Sequence, residues 1–412
     1  MKIAMLITTF NRPEYLLECL KSVMRADTSK LDTIVVVDDF STDYMVPQIL
    51  DQANTLQPKI RKLEKFATGK GIKNSLMYGC DYLFGQGYDL IINLDGDAIV
   101  RNDFVDRLLE GYQECLSVIT GFHSTTRNSN GTERHHVLKE SNLLYFKQSV
   151  GGINLMFNRK DYEQYIRPKL CEPEGNWDHE MSKALGGVYC LKESVVEHIG
   201  LVSSMGHGGG KEMPDTADNF VPLTLPDVTL FGVDCEDAIK RSCKQIKFAK
   251  VVLMDKFKTI EDYNQFMFKK LYTVFDTSHI LTVQPDGWVV RPLAWKPEWL
   301  ANDYIGAIWY HYKDFHRVGN GGFSLRSQRL CEILWSDNRM QLMNDSLINN
   351  LAEDHNICRT WRVYLEALYY IKFANENVAG QFSYEGYGIN KGEREWSGQF
   401  GFHGKDFVKQ FI

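Results

Sequence analysis

The sequence predicts an α/β fold in two successive domains, each built on a mostly parallel sheet. Two observations carry this. Short apolar runs alternate with helical periodicity in the order strand, helix, strand, helix, strand, which gathers strand ends on one edge of a parallel sheet. The same layout starts again after the proline-punctuated stretch Met213 to Pro226, placing domains at 1–212 and 228–412 with a linker at 213–227.

The chain has 412 residues, 44% hydrophobic and 24% charged, the balance of a globular protein rather than a disordered one. No apolar run approaches the roughly 20 residues that span a bilayer. Met1 to Thr8 turns polar too soon for a signal peptide and reads as a first strand. The nine cysteines form no Cys-x-x-Cys pair, so neither a disulfide framework nor a zinc site is expected. A reducing, cytoplasmic setting follows. A net charge of −6 argues against a broad polyanion-binding surface.

Lys2 to Thr8 is the first strand, ending in Thr8-Thr9-Phe10-Asn11-Arg12-Pro13. Pro13 and Glu14 suit the first turn of a helix. Thr33 to Val37 is a β-branched strand that stops at Asp38-Asp39-Phe40-Ser41-Thr42, and Gly69 to Ser75 opens another helix. Leu90, Ile91, Ile92 and Leu94 then form a strand buried on both faces, followed at once by Asp95-Gly96-Asp97. Carboxylates at the carboxyl end of such a strand lie where open α/β sheets bind ligands. Two of them together repel unless positive charge is near, and a divalent cation carrying a diphosphate meets that need.

Thr-Thr-Phe-Asn-Arg, Val-Val-Asp-Asp-Phe-Ser-Thr and Leu-Asp-Gly-Asp, in this order, resemble the family 2 nucleotide-sugar glycosyltransferases of GT-A fold over residues 1–212. The resemblance implies a Rossmann-like GT-A domain in which Thr8 or Thr9, Asn11 and Asp39 hold the nucleotide. It implies Asp95 on the ribose or the metal, and Asp97 on Mg²⁺ or Mn²⁺. Lys70 or Lys73 would add positive charge near the phosphates. Val150 to Phe157 would be the strand flooring the acceptor pocket. Asp178, in Trp177-Asp178-His179-Glu180, matches the catalytic base, with Glu180 as the alternative. His198 is the favoured late metal ligand, and the glycines after His207 read as a flap or a linker.

In the second half, Val228 to Val233, Lys247 to Met254 and His279 to Gln284 read as strands, with Ala238 to Gln245 and Phe266 to Phe275 as helices. Asp276 to Leu281, Gln284-Pro285-Asp286-Gly287, Asn302 to Ala307, the run Gly319 to Ser327, Glu353-Asp354 and Gly401-Phe402-His403 resemble an uncharacterised domain family (DUF5672) thought to be GT-A-like. This implies Asp286 as the nucleotide or metal carboxylate, Glu353 or Asp354 as base and His403 as late metal ligand. Asp286-Gly287 reads as a pared-down counterpart of Asp95-Gly96-Asp97, with one acid where the first half has two. The aromatic-rich segment Trp288 to Tyr312 suits either sugar stacking or core.

The expected function is therefore a metal-dependent, inverting glycosyltransferase using a nucleoside diphosphate sugar, with one or two transfer sites. A glycan or polysaccharide is the default acceptor. A hydroxymethylated base in phage-type DNA is the alternative acceptor, and a noncatalytic glycan-binding scaffold the alternative class.

Overall fold

The computed structural model describes residues 1–63, 71–126, 133, 135–200, 216–341, 352–386 and 396–405. Contacts divide the chain into two units, Met1–Val221 and Pro222–Ile412. Among the described residues no helix is long and apolar enough to cross a membrane.

The first unit is built on a nine-stranded sheet of order β3-β2-β1-β4-β9-β6-β10-β8-β7. Its parallel half holds β1 (Ile3–Thr9), β2 (Thr33–Asp38), β3 (Ile60–Leu63) and β4 (Leu90–Asp95). The rest is β6 (Ile119–Thr120), β7 (Val137–Glu140), β8 (Leu144–Lys147), β9 (Asn154–Asn158) and β10 (Val188–Leu191), joined to β4 through antiparallel β9. A two-stranded sheet pairs β5 (Ala98–Val100) with β11 (Val196–His198).

Alternate side chains of the parallel strands feed two cores. Met5, Ile7, Ile34, Val36, Ile92 and Leu94 pack under α1 (Pro13–Arg25), α2 (Met45–Leu56) and α4 (Phe104–Cys115). Ala4, Leu6, Val35, Val37 and Ile91 face α3 (Ile72–Gly85) on the other side. Burial on both faces is why these strands read as unbroken apolar runs. Short helices α5 (Arg159–Asp161) and α6 (Arg167–Cys171) follow β9, then α7 (Trp177–Leu185). The expected strand Val150 to Phe157 starts only at Asn154, because Gly151 and Gly152 occupy the turn before it.

The second unit has a five-stranded sheet, β13-β12-β14-β16-β15. It comprises β12 (Leu223–Val233), β13 (Ile246–Met254), β14 (His279–Val283), β15 (Tyr304–Ile305) and β16 (Phe323–Ser327); β12 is parallel to β13 and β14, while β16 runs antiparallel to β14. Strand β12 begins inside the stretch expected to be linker. Its ladder to β13 shifts register between Leu225 and Thr229, and Pro226 falls in that irregularity, where a missing N–H costs no ladder bond. Helix α8 (Glu236–Gln245) follows β12. Helix α9 (Ile260–Lys269) starts earlier than its periodicity suggested, because Thr259 caps it by accepting the Asp262 N–H. After β16 comes α10 (Gln328–Ser336), capped by Ser327. A small parallel pair, β17 (Ser383–Glu385) and β18 (Gly401–His403), brings Glu385 opposite His403. Trp288, Trp295, Trp299, Tyr304 and Trp309 of the aromatic-rich segment are all buried, so they are core.

Gly306, just after β15, tests the packing of the turn that precedes β16. A Cβ built there would lie 1.6 Å from the Gly319 carbonyl oxygen, and backbone cannot retreat as a side-chain end can. Gly306→Ala is expected to cost about 1–3 kcal/mol in denaturant unfolding of the full chain.

Candidate functional site

In the first unit, strand register decides which side chains meet. Thr8 pairs with Asp95, and Thr9 with Asp38, at the carboxyl ends of β1, β4 and β2. The Gly96 N–H donates to the Thr8 carbonyl at 2.9 Å, and a Cβ on Gly96 would lie 2.9 Å from that same oxygen. Only glycine allows so close a crossing, which swings Asp97 back over the strand ends.

A cleft of about 380 Å³ opens there, lined by Thr8, Thr9, Asn11, Arg12, Asp39, Gly71, Ser75, Asp95 and Asp97 among others. Asp39 accepts the Gly71 N–H at 2.8 Å, tying the loop after β2 to the start of α3. Asn11 accepts from the Thr42 and Asp43 backbones at 2.9 and 3.1 Å, so it braces that loop as well as lining the cleft. Ser75 Oγ is buried in the lining with no hydrogen-bond partner among the described residues, a polar atom that a ligand could satisfy.

The electrostatics centre on the two carboxylates. Burial, then the negative charge of Asp97, push Asp95 well above the usual carboxylate range, with His198 pulling the other way and Asp178 adding to the rise. Burial would raise Asp97 too, but His198 and Arg12 outweigh it and hold Asp97 below its ordinary value. Asp97 Oδ2 lies 2.5 Å from Arg12 Nη1 and 3.4 Å from His198 Nε2.

Two neighbouring ligands of a Mg²⁺-sized cation, with bonds of about 2.1 Å, sit about 3 Å apart, so the Asp97 and His198 atoms are close to a ligand pair. Among the described residues no group of three His, Cys, Asp or Glu converges into a ready cage. One or two protein carboxylates completed by substrate phosphates is the usual way Mg²⁺ is held. The residues fit a hard divalent ion on those terms.

Asp178 is the second residue of α7. Its Oδ2 accepts the Gly152 N–H at 2.9 Å and its Oδ1 the His179 N–H at 2.8 Å, which fixes the carboxylate beside the turn before β9. Trp177 packs on the same turn: a Cβ on Gly152 would lie 2.4 Å from its ring. Glu180, the alternative base, instead pairs with Lys183 at 2.9 Å on the outer side of the helix. Lys73 donates to the Glu172 carbonyl at 3.0 Å. Lys70 and His207 lie outside the described residues.

The second unit repeats part of this arrangement. Leu94 pairs with Asn154 across β4 and β9, and Val283 with Phe323 across β14 and β16. Counting from these pairs sets Gln284 against Asp95, Asp286 against Asp97 and Gly321 against Gly152. Asp286 thus stands at the register position of Asp97.

The contacts agree. His403 Nε2 lies 3.4 Å from Asp286 Oδ1, as His198 does from Asp97. Asp354 Oδ2 accepts the Gly321 N–H at 2.7 Å and its Oδ1 the His355 N–H at 2.7 Å, the same pair of bonds that holds Asp178. Burial and the neighbouring Glu353 push Asp354 up to about 7. Burial would lower His403, but Asp286 and Glu385 carry it up to about 10. At the ends of β12, β13 and β14 a crevice of about 440 Å³ is lined by Asp234, Glu236, Asp237 and Asp255, with no Lys or Arg among its lining.

Glu353, the other candidate base, makes a buried 2.7 Å ion pair with Arg326, their side chains 4% and 0% exposed. Arg12, Gln284 and Glu385 were not assigned from sequence. Arg12 and Gln284 stood inside the recognised motifs, whereas Ser383-Tyr384-Glu385 carries no pattern that marks it.

Residues 5–170 match the family described as glycosyl transferase family 2, and residues 246–403 the family described as protein of unknown function (DUF5672). No curated protein matches the chain. Similar solved structures include GalNAc-T7 with UDP, GalNAc and Mn²⁺ (15% identity over 48% of this chain and 44% of that one, TM-score 0.41). Others are S. aureus TarS 1–349 (17%, 48% and 60%, 0.35) and the mannosyltransferase PcManGT from Pyrobaculum calidifontis with GDP-Man and Mn²⁺ (15%, 47% and 55%, 0.34). The matches span about half the length of these relatives.

Removing one partner of the Glu353–Arg326 pair leaves a buried charge uncompensated. Glu353→Ala should cost about 3–5 kcal/mol in denaturant unfolding.

Proposed function

We propose that this chain, a glycosyl transferase family 2 domain followed by a DUF5672 domain, transfers sugars from nucleoside diphosphate sugars to glycan hydroxyls, with inversion, at two sites. The observation that carries the reading is the convergence of Asp95, Asp97, His198 and Arg12 at one strand end, with Asp178 close enough to raise Asp95.

Thr8, Thr9, Asn11 and Asp39 line the cleft where the nucleotide would sit, and Ser75 offers it an unsatisfied hydroxyl. A Mn²⁺ or Mg²⁺ ion on Asp97, His198 and Asp95 would supply the positive charge that stabilises a departing nucleoside diphosphate. Asp178, held by two backbone N–H groups, keeps lone pairs free to accept a further hydrogen bond. It takes the proton of the acceptor hydroxyl as that oxygen bonds the anomeric carbon; the bond to the donor phosphate breaks on the opposite face, its electron pair leaving with the nucleotide. In the second unit Asp354 plays the part of Asp178, and Asp286 with His403 that of Asp97 with His198.

The test is a panel of nucleotide sugars with Mn²⁺, scored for transfer and slow donor hydrolysis. Asp178→Asn should lower turnover at the first site by about 10²–10⁴-fold while donor binding, followed by calorimetry, persists. Asp97→Asn should remove Mn²⁺-dependent turnover there; turnover that survives unchanged refutes the assignment.

The second site predicts its own pH profile. Asp354 must be ionised to act as a base, and burial with Glu353 lifts it to about 7. In an Asp178→Asn chain the remaining transfer should therefore fall as pH drops through about 7 and vanish in Asp178→Asn/Asp354→Asn. Residual transfer that ignores both pH and Asp354→Asn would rule out a second base.

A further inference from the structure

We propose that the hairpin formed by residues 307–319 is the acceptor platform of the second site, with Phe315 as the surface on which a sugar ring of an oligosaccharide acceptor stacks. The inference rests on the reading of Asp354 as a second transfer base, and adds the class of acceptor and the residue that selects it.

The two units part at this segment. Ile305 of β15 stands against Leu325 of β16 as Ile119 of β6 stands against Met156 of β9. Between those strands the first unit has residues 121–153, which include β7 and β8 at the far side of its sheet. The second has only residues 306–322, and a hairpin takes up most of them. Ile308 bridges Val318 in antiparallel fashion, the Trp309 N–H donates to the Arg317 carbonyl at 2.7 Å, and the Gly319 N–H to the Ala307 carbonyl at 3.0 Å. The chain then enters the turn whose Gly321 N–H holds Asp354. A molecule gripped by the hairpin is thereby held beside the base.

The hairpin is braced against the helical segment that carries Asp354. Asp314 takes both arms of the Arg359 guanidinium at 2.7 Å each, and Arg359 also donates to the His316 carbonyl at 2.8 Å. Such a two-pronged contact fixes direction as well as distance. The Tyr312 hydroxyl hydrogen-bonds the ring of His355, the residue whose N–H binds Asp354. A Cβ on Gly319 would lie 2.2 Å from the Trp309 ring, so that ring lies directly on the turn. Arg359 follows His355 by one helical turn, about 5.4 Å. The tip is thus held a turn away from the base, where the sugar next to the reacting one would fall.

On this braced tip Phe315 is 96% exposed, and among the described residues no other large apolar side chain is as exposed. Its neighbours His311, Lys313 and Asp314 are exposed and polar. One aromatic face among hydrogen-bonding groups matches a sugar ring, which has an apolar C–H face and a hydroxyl-bearing edge. A bilayer is a poorer match. A single ring offers little apolar area, and inserting it would carry the Asp314–Arg359 pair out of water.

The experiment places the full-length Asp178→Asn/Asp354→Asn chain, with both bases removed, on an array of mono- to tetrasaccharides. Glycans of two or more residues should bind. Phe315→Ala should weaken them about 10-fold, and Phe315→Trp should preserve them. Phe315→Leu keeps apolar bulk without a flat face and should behave as Phe315→Ala. Monosaccharides should not distinguish these variants.

Array signals that Phe315→Ala leaves unchanged, or no signal from the chain with Phe315 in place, would overturn the platform; transfer by the Asp178→Asn chain still judges the second base separately. Phe315-dependent binding with no transfer by Asp178→Asn would keep the glycan contact and refute that base. Co-sedimentation with phosphatidylglycerol vesicles that Phe315→Ala abolishes would replace the glycan reading with a membrane contact.

Discussion

Two carboxylates at the end of one buried strand are the constraint that organises the first unit. Asp95 closes β4 with its neighbours buried on both faces, and Asp97 returns over it because Gly96 crosses the Thr8 carbonyl. Burial and like charge make this pair costly. The surroundings distribute that cost unevenly: His198 and Arg12 outweigh burial at Asp97, whereas at Asp95 burial and the Asp97 charge prevail over His198. A site with one carboxylate held ionised and one pushed towards protonation is poised to accept positive charge.

Sheet topology explains why the remaining groups arrive at the same point. The switch from parallel to antiparallel between β4 and β9 makes the β9 turn face the end of β4. Gly152 in that turn then fixes Asp178 through its N–H. In the second unit β14 and β16 make the same switch, and Gly321 fixes Asp354. The likeness between the two sites is therefore set by the backbone. The side chains hung on it, Asp95 against Gln284, are what distinguish them.

Much of this could be read in the sequence, for a definite reason. Strands buried on both faces leave unbroken apolar runs, and the polar residues that stop them mark the ligand edge. Thr8, Asp39, Asp95, Asp97 and Asp178 were found that way, or through motifs anchored on such strands. Where choice depended on the rotation of a helix, sequence did not decide. Glu180 stands two residues from Asp178 but points to Lys183, and Lys73 leads away to Glu172. The second unit was less legible still, because its partners come from distant, short elements. Glu385 reaches His403 only through the three-residue pairing of β17 with β18, a ladder too short to leave a periodic trace.

Glu353 and Asp354 illustrate how adjacent acids acquire opposite roles. Glu353 pairs with Arg326 while Asp354 accepts the Gly321 N–H, and both carboxyls lie against the Gly321 turn, where an added Cβ would meet Glu353 Oε1. The ion pair fixes Glu353 as a permanent neighbouring charge, and Arg326 offsets only part of its effect on Asp354. The result is a carboxylate anchored by backbone N–H groups yet lifted to about 7 by burial and by Glu353. A buried salt bridge that contributes little net stability thus gains a purpose: it holds the charge that tunes the residue beside it.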